Sequence, residues 1–154
     1  MKTYRTAAAL LAIACMLAAP LAATAKPARS QTERNRAVIT AFAALFYGQR
    51  DVRGAFERYV SPDYIQHNAN ILDGREAAIA ALEPMFRQEG SRFEIKRIVV
   101  DGDMAVIHLH GRAGAQGKGG TVADIYRLRR GKIVEHWDIL QPIADKPLNP
   151  HAYF

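Results

Sequence analysis

Two hydrophobic periods divide this chain. From Ser30 to Phe86 apolar residues recur every three or four positions, and from Phe93 to Gln141 they recur every second position. Ser30-Gln31-Thr32-Glu33 has the spacing of a capping box, in which the Ser oxygen and the Glu carboxylate each satisfy a free amide. Val38, Ile39, Phe42, Leu45 and Phe46 follow on one stripe, and Gly48 closes that helix. A shorter helix carries Val52, Phe56, Tyr59 and Val60 on one side, and Ser61-Pro62-Asp63 is expected to turn the chain. After an irregular stretch, Asp73-Gly74-Arg75-Glu76 reads as a second capping box. The third helix then buries Ala78, Ile79, Leu82, Met85 and Phe86, with a bend expected at Pro84. Strands are predicted over 93–100, 104–112, 121–129 and 133–141, with hairpin turns at Asp101-Gly102-Asp103 and at Arg129-Arg130-Gly131-Lys132. Three helices followed by an antiparallel four-stranded meander define an α+β plan, with the helices on one face of the sheet. The proline-containing tail, 142–154, is expected to cross the surface.

The first 25 residues differ in kind. Lys2 and Arg5 precede an apolar run from Ala7 to Ala22, and Ala23-Thr24-Ala25 supplies the small residues of a cleavage site. This is the pattern of a secretory signal peptide, so the protein is expected to be exported, to the periplasm or beyond. Residues 26–31 would be a flexible leader and 32–154 the folded domain. Cleavage lowers the formal charge from +6 to +4, because Lys2 and Arg5 leave and no acid does. The remaining surplus is scattered, without the basic stripe and interleaved aromatics of a nucleic-acid surface. Cys15 is the only cysteine and lies inside the signal peptide, so the mature domain has neither disulfide nor thiol chemistry.

Chemistry is sought where polar groups share a face with the core. In the third predicted strand Val122, Asp124, Tyr126 and Leu128 lie together on the more apolar side. Asp124 is thus an inward carboxylate, placed for proton transfer or else satisfied by a neighbouring donor such as an amide or Arg127. In the fourth, Val134, His136, Asp138 and Leu140 oppose Ile133, Glu135, Trp137 and Ile139, and both sides are mixed. His136 and Asp138 would stand about 6–7 Å apart on one face, a workable spacing for two groups meeting one ligand. Trp137 fits core or dimer contact as well as a ligand platform. His67-Asn68, flanked by Tyr64 and Ile65, is placed to rim a cavity and bind a carbonyl or carboxyl oxygen. His108 and His110 point the same way from one strand, a spacing used by metal sites that add a third ligand. The Gly-rich segment from Gly111 to Gly120 lacks the Ser or Thr and the following helix of a phosphate loop. It reads as a flexible hairpin tip, suited to a lid.

Tyr64-Ile65-Gln66-His67-Asn68, Asp73-Gly74-Arg75-Glu76, Asp124-Ile125-Tyr126-Arg127-Leu128 and Gly131-Lys132-Ile133-Val134-Glu135-His136-Trp137-Asp138 together resemble the SnoaL-like polyketide cyclases of the nuclear-transport-factor-2-like (NTF2-like) superfamily. The ending Asn149-Pro150 to Tyr153-Phe154 is similar too, so the resemblance runs from about Thr32 to Phe154. It implies a cone, with a strongly curved sheet wrapped over three helices, a deep pocket and commonly a homodimer. It also implies acid–base chemistry without metal or other cofactor, in which a pocket carboxylate removes a proton beside a carbonyl. Asp138 matches that carboxylate by its place after Gly-Lys-Ile, and Asp124 stands where a His or second acid often faces it.

Three readings follow. The first is an enzyme of aldol-cyclase or isomerase type acting on a small apolar carbonyl compound. Asp138 would be the base, with Asp124, His136 and His67 as acid or orienting partners, and Asn68, Tyr64, His108, His110, Tyr126 and Trp137 against the substrate. The second is a non-catalytic binder of a hydrophobic ligand. The third is a metal-binding protein using His108 and His110. An export signal argues against a true polyketide cyclase, whose substrates are made inside the cell.

Overall fold

A computed structural model describes residues 29–154. The signal peptide and residues 26–28 of the leader read from the sequence lie outside the described residues.

Helix α1 spans Gln31–Ala43, α2 Val52–Tyr59 and α3 Arg75–Arg87. The capping box at α1 forms as expected: Ser30 Oγ accepts from the Glu33 amide at 3.2 Å, and Glu33 accepts from the Ser30 amide at 2.7 Å. These hydrogen bonds hold the Glu33 carboxyl below its ordinary range. A π-helical turn, Ala44–Gly48, continues α1. Phe42 and Ala43 are followed four positions on by a second buried pair, Phe46 and Tyr47, on the same face. Asp51 caps α2 by accepting from the Gly54 amide at 2.9 Å. The second capping box does not form. Gly74, at φ 97°, is the N-cap of α3 and offers no side chain, while Asp73 accepts from the Gln66 amide instead. Pro84 is tolerated within the last turn of α3.

The sheet has five strands where the sequence pattern gave four: β1 Val60–Gln66, β2 Arg92–Asp101, β3 Met104–Arg112, β4 Gly120–Arg129 and β5 Lys132–Pro142, in the order β1-β5-β4-β3-β2. Strands β2 to β5 form the expected antiparallel meander. The additional β1 takes in the Ser61-Pro62-Asp63 segment that composition marked as a turn. It runs parallel to β5 at the sheet edge, where Pro62 forfeits no ladder hydrogen bond. The hairpins turn at Gly102-Asp103 and at Arg130-Gly131, where φ values of 51° and 77° are those of a two-residue primed turn.

The helices cover one face of this sheet. Ile39, Phe42, Phe56, Ile79, Ile107, Leu109, Leu128 and Ile133 are almost wholly buried between the layers. Phe86 stacks on Phe93 at 4.0 Å and on Phe46 at 4.3 Å between centroids, which ties α3 to both the sheet and α1. Each such pair contributes about 0.5–1.5 kcal/mol beyond its buried area. The Gly111–Gly120 segment is anchored at its base, because the Gly114 amide donates to Ser91 Oγ at 2.8 Å. Gly119 sits at φ 76°, and a Cβ there would lie 2.2 Å from the Gly111 carbonyl oxygen. Gly119→Ala is therefore expected to destabilise the domain by more than about 1 kcal/mol in urea denaturation, from combined strain and overlap. The tail crosses the outer face of the sheet, with Phe154 against His108 and His110.

Candidate functional site

Between helices and sheet lies a cavity of about 440 Å³. Phe46, Phe56, Leu82 and Phe86 from the helical side and Phe93, Leu109 and Val122 from the sheet give it apolar walls. Leu140 and Met85 line it and also reach solvent, marking its mouth. Against this apolar lining, its polar groups concentrate on β1, β4 and β5.

Asp124 and Asp138 are direct cross-strand partners on β4 and β5, and both line the cavity. Directly opposed side chains have Cβ atoms about 4.5–5.5 Å apart, and two like charges so placed repel. Each carboxylate has its own compensation. Asp124, 8% exposed, accepts from the Tyr47 hydroxyl at 2.5 Å and meets His136 Nε2 at 3.1 Å. Asp138 accepts from Asn68 Nδ2 at 2.5 Å through one oxygen, Oδ2. Among the described residues, no donor occupies its other oxygen.

Hydrogen-bond bookkeeping settles the orientation of His136. Gln66 Oε1 receives the Asn68 backbone amide at 3.0 Å, and an amide N–H can only donate, so the oxygen of Gln66 faces that way. The same oxygen lies 2.9 Å from His136 Nδ1, which must then carry a proton. Nε2 is left facing Asp124, and a proton in that contact makes either an imidazolium–carboxylate pair or its neutral equivalent. A similar count orders the phenols. Tyr47 spends its proton on Asp124, so in the 2.6 Å contact between Tyr47 and Tyr126 it is Tyr126 that donates. Burial, reinforced by the Asp124 charge, pushes the ionisation of Tyr47 and Tyr126 well above the ordinary phenol range. Burial and the same charge raise Tyr64 as well. All three phenols stay protonated, and Tyr47 and Tyr126 spend their protons within the cavity wall.

Of the residues singled out from the sequence, Asp124, His136, Asp138, Tyr64, Asn68 and Tyr126 converge on this cavity. Four lie elsewhere. His67 follows Gln66 at the end of β1 and faces the opposite side: it pairs with Glu135 at 2.9 Å and stacks on Trp137 at 4.6 Å, with 3° between the planes. That hydrogen bond and the Arg127 guanidinium hold the Glu135 carboxyl below its usual range. Trp137 alternates with His136 and Asp138 and so stands on the outer face, under Arg127. His108 and His110 alternate with the buried Ile107 and Leu109. Their Nε2 atoms engage Thr121 Oγ1 at 2.7 Å and the Lys118 carbonyl at 2.6 Å. No group of three His, Cys, Asp or Glu side chains suited to a metal occurs among the described residues, so the paired histidines have no third ligand.

Sequence reasoning missed Gln66 and Tyr47 as site residues. Gln66 lay in a segment read as irregular. Tyr47 falls four and eight positions after the buried Ala43 and Ile39, a helical ladder that could have found it, although it lies outside the stripe read from the sequence.

The fold and site together define a pocket protein of the NTF2-like class, with an acid–imidazole–acid cluster at one side of an apolar cavity. The SnoaL-like domain profile matches residues 36–136, and the chain belongs to that family. An NTF2-like protein of unknown function from Mesorhizobium loti is 20% identical with a TM-score of 0.63, over 75% of this chain and 97% of that one. TsrD from Streptomyces laurentii is 22% identical with a TM-score of 0.56, over 70% and 88%. An epoxide hydrolase from M. tuberculosis, of the LEH-like type, is 17% identical with a TM-score of 0.59, over 73% and 86%. No curated protein matches the chain significantly. At these identities the solved structures share the fold, and a fold of this kind hosts unrelated reactions.

Proposed function

We propose that this is an exported acid–base enzyme, needing no cofactor, that acts on a small, mostly apolar carbonyl compound by aldol or isomerase chemistry. The observation that carries the reading is Asp138: a carboxylate with one oxygen held by Asn68 and the other uncommitted, inside an apolar cavity and beside a second acid paired with imidazole. Asp138 takes the proton from the carbon next to the carbonyl. The C–H electron pair moves into the new carbon–carbon double bond, and the carbonyl π pair moves onto oxygen. The resulting enolate either adds to a second carbonyl carbon, whose oxygen takes the proton from Asp138, or, when conjugated with a further carbon–carbon double bond, takes that proton back at its far carbon. The Asp124–His136 pair has no free nitrogen with which to act as the first base, and its bonds to Tyr47 and Gln66 hold the polar wall of the cavity in place. The basic, apolar and small-residue order of residues 1–25 supports export. Exposed apolar side chains on the outer sheet face, Val99 and Ile139, support a homodimer.

Hydrogen–deuterium exchange tests the reading. Acetylnaphthalene carries a methyl group beside its carbonyl, and its proton NMR signal in deuterium oxide should fade faster with the protein present. An unaccelerated signal in the presence of bound ketone would instead favour the second reading, a non-catalytic binder of hydrophobic ligands, which needs the same cavity and no base.

A further inference from the structure

We infer that the Tyr64 hydroxyl is the hydrogen-bond donor that receives the carbonyl oxygen of the bound compound; this rests on the reading of the cavity as a carbonyl site. Three phenols line the cavity, Tyr47, Tyr64 and Tyr126. Tyr47 has given its proton to Asp124 and Tyr126 has given its own to Tyr47. Tyr64 is differently placed. Its oxygen accepts from Gln66 Nε2 at 3.2 Å, and the direction is certain because Gln66 Oε1 is already turned to Asn68 and His136. Among the described residues no acceptor takes the Tyr64 proton. A buried hydroxyl with an unspent proton is costly unless a ligand or water meets it.

The chemistry fits the unspent Tyr64 donor. Tyr64 and Gln66 alternate on β1, and Gln66 pairs with His136 on β5, so the Tyr64 ring lies on the same inner face as His136 and Asp138. The ring planes of Tyr64 and His136 are 25° apart, with centroids at 6.4 Å. Both cavity carboxylates act electrostatically on the phenol and oppose its ionisation. It therefore donates a hydrogen bond without surrendering its proton, while the carbon acid loses its own to Asp138. Charge arriving on the oxygen strengthens that bond, and a donor lost at such a position typically slows the step about 10²–10³-fold. The assigned ligand class is narrower as a result: the compound presents a hydrogen-bond-accepting oxygen to β1 and an acidic C–H to β5.

The test compares acetylnaphthalene with isopropenylnaphthalene, the same shape with a methylene in place of oxygen. Wild-type protein should bind the ketone at least about tenfold tighter, the discrimination expected of one buried hydrogen bond. In Tyr64→Phe that preference should fall to about parity, with the alkene bound within about threefold of wild type. The carbonyl carbon resonance of isotope-labelled ketone should move downfield on binding to wild type, and this displacement should vanish in the variant. Should Tyr64→Phe disturb the cavity, wild-type protein grown with fluorotyrosine gives a second measurement: a more acidic phenol should move the resonance further. A ketone preference that survives Tyr64→Phe, an absent preference in wild type, or a resonance indifferent to fluorination overturns the assignment. Equal binding of both compounds removes the donor alone and leaves the pocket reading standing, whereas no binding of either removes both.

Discussion

Asp138→Asn is expected to lower the deuterium-exchange rate of acetylnaphthalene by about 10³-fold while leaving the melting temperature almost unchanged. The substitution keeps the shape of the side chain and an oxygen for Asn68 Nδ2, so the 2.5 Å contact that positions it has a counterpart. What disappears is the basic lone pair on the uncommitted oxygen. The half-buried position keeps the stability change within about 1 kcal/mol. Ketone affinity should also hold, because neither the apolar walls nor Tyr64 is touched. Rates measured by NMR beside a thermal melt separate these effects. A variant that exchanges as fast as wild type would remove Asp138 from the chemistry and return attention to Asp124.

The largest stability effect belongs to Asp124. Asp124→Ala should cost about 3–5 kcal/mol, because it strands the Tyr47 hydroxyl and His136 Nε2 in a dry interior. In a domain of this size that lowers the melting temperature by roughly 10 °C or more. Asp124→Asn should cost only about 1 kcal/mol. Its oxygen can accept from Tyr47 and its amide can donate to a neutral His136 whose other nitrogen still donates to Gln66. Urea and thermal denaturation of the pair distinguish a hydrogen-bonded network from simple packing. Similar losses in Ala and Asn would show that the charge matters and the geometry does not. No loss in Ala would show that the network contributes nothing.

The contrast between the two acids explains why they do not compete for one role. Asp124 has both oxygens engaged and sits deep, and in the proposed chemistry it is assigned the orienting role. Asp138 has one oxygen engaged and lies nearer the mouth, and in the proposed chemistry it is assigned the role of base. Cross-strand pairing alone would make them equivalent. Their different neighbours, Tyr47 and His136 for one and Asn68 for the other, divide the work.

Much of this was legible along the chain. The three helices, the four-strand meander and the inward side of β4, with Asp124 and Tyr126 on it, follow from local periodicity, because side-chain direction within a helix or strand is set by backbone geometry. The facing of the two carboxylates was an expectation of the family resemblance, through the motif after Gly131, and not of periodicity. Other features needed the third dimension. β1 was hidden because Ser61-Pro62-Asp63 has the composition of a turn, and only a parallel partner at the sheet edge makes it a strand. The face of β5 could not be read by alternation. The register slips near Leu128, opposite Ile133 and Glu135, so Ile133 and His136 are both buried although an odd number of positions apart. His67 looked like a pocket residue by its neighbours and proved to face outward, because a period of two sends Gln66 and His67 to opposite sides. Tyr47 continues the four-residue ladder of Ile39 and Ala43, and only its contacts with Asp124 and Tyr126 mark it as a site residue.

The sequence by itself determined the order of elements, the layer each apolar face must join, and the residue types available for acid–base work. These depend on interactions a few positions apart. Tertiary structure decided which of those residues meet, which nitrogen of His136 holds its proton, and which phenol keeps an unspent donor. Such properties depend on partners as many as 70 to 79 positions away in sequence, as in the bonds of His136 to Gln66 and Tyr47 to Tyr126, and local chain geometry carries no record of them.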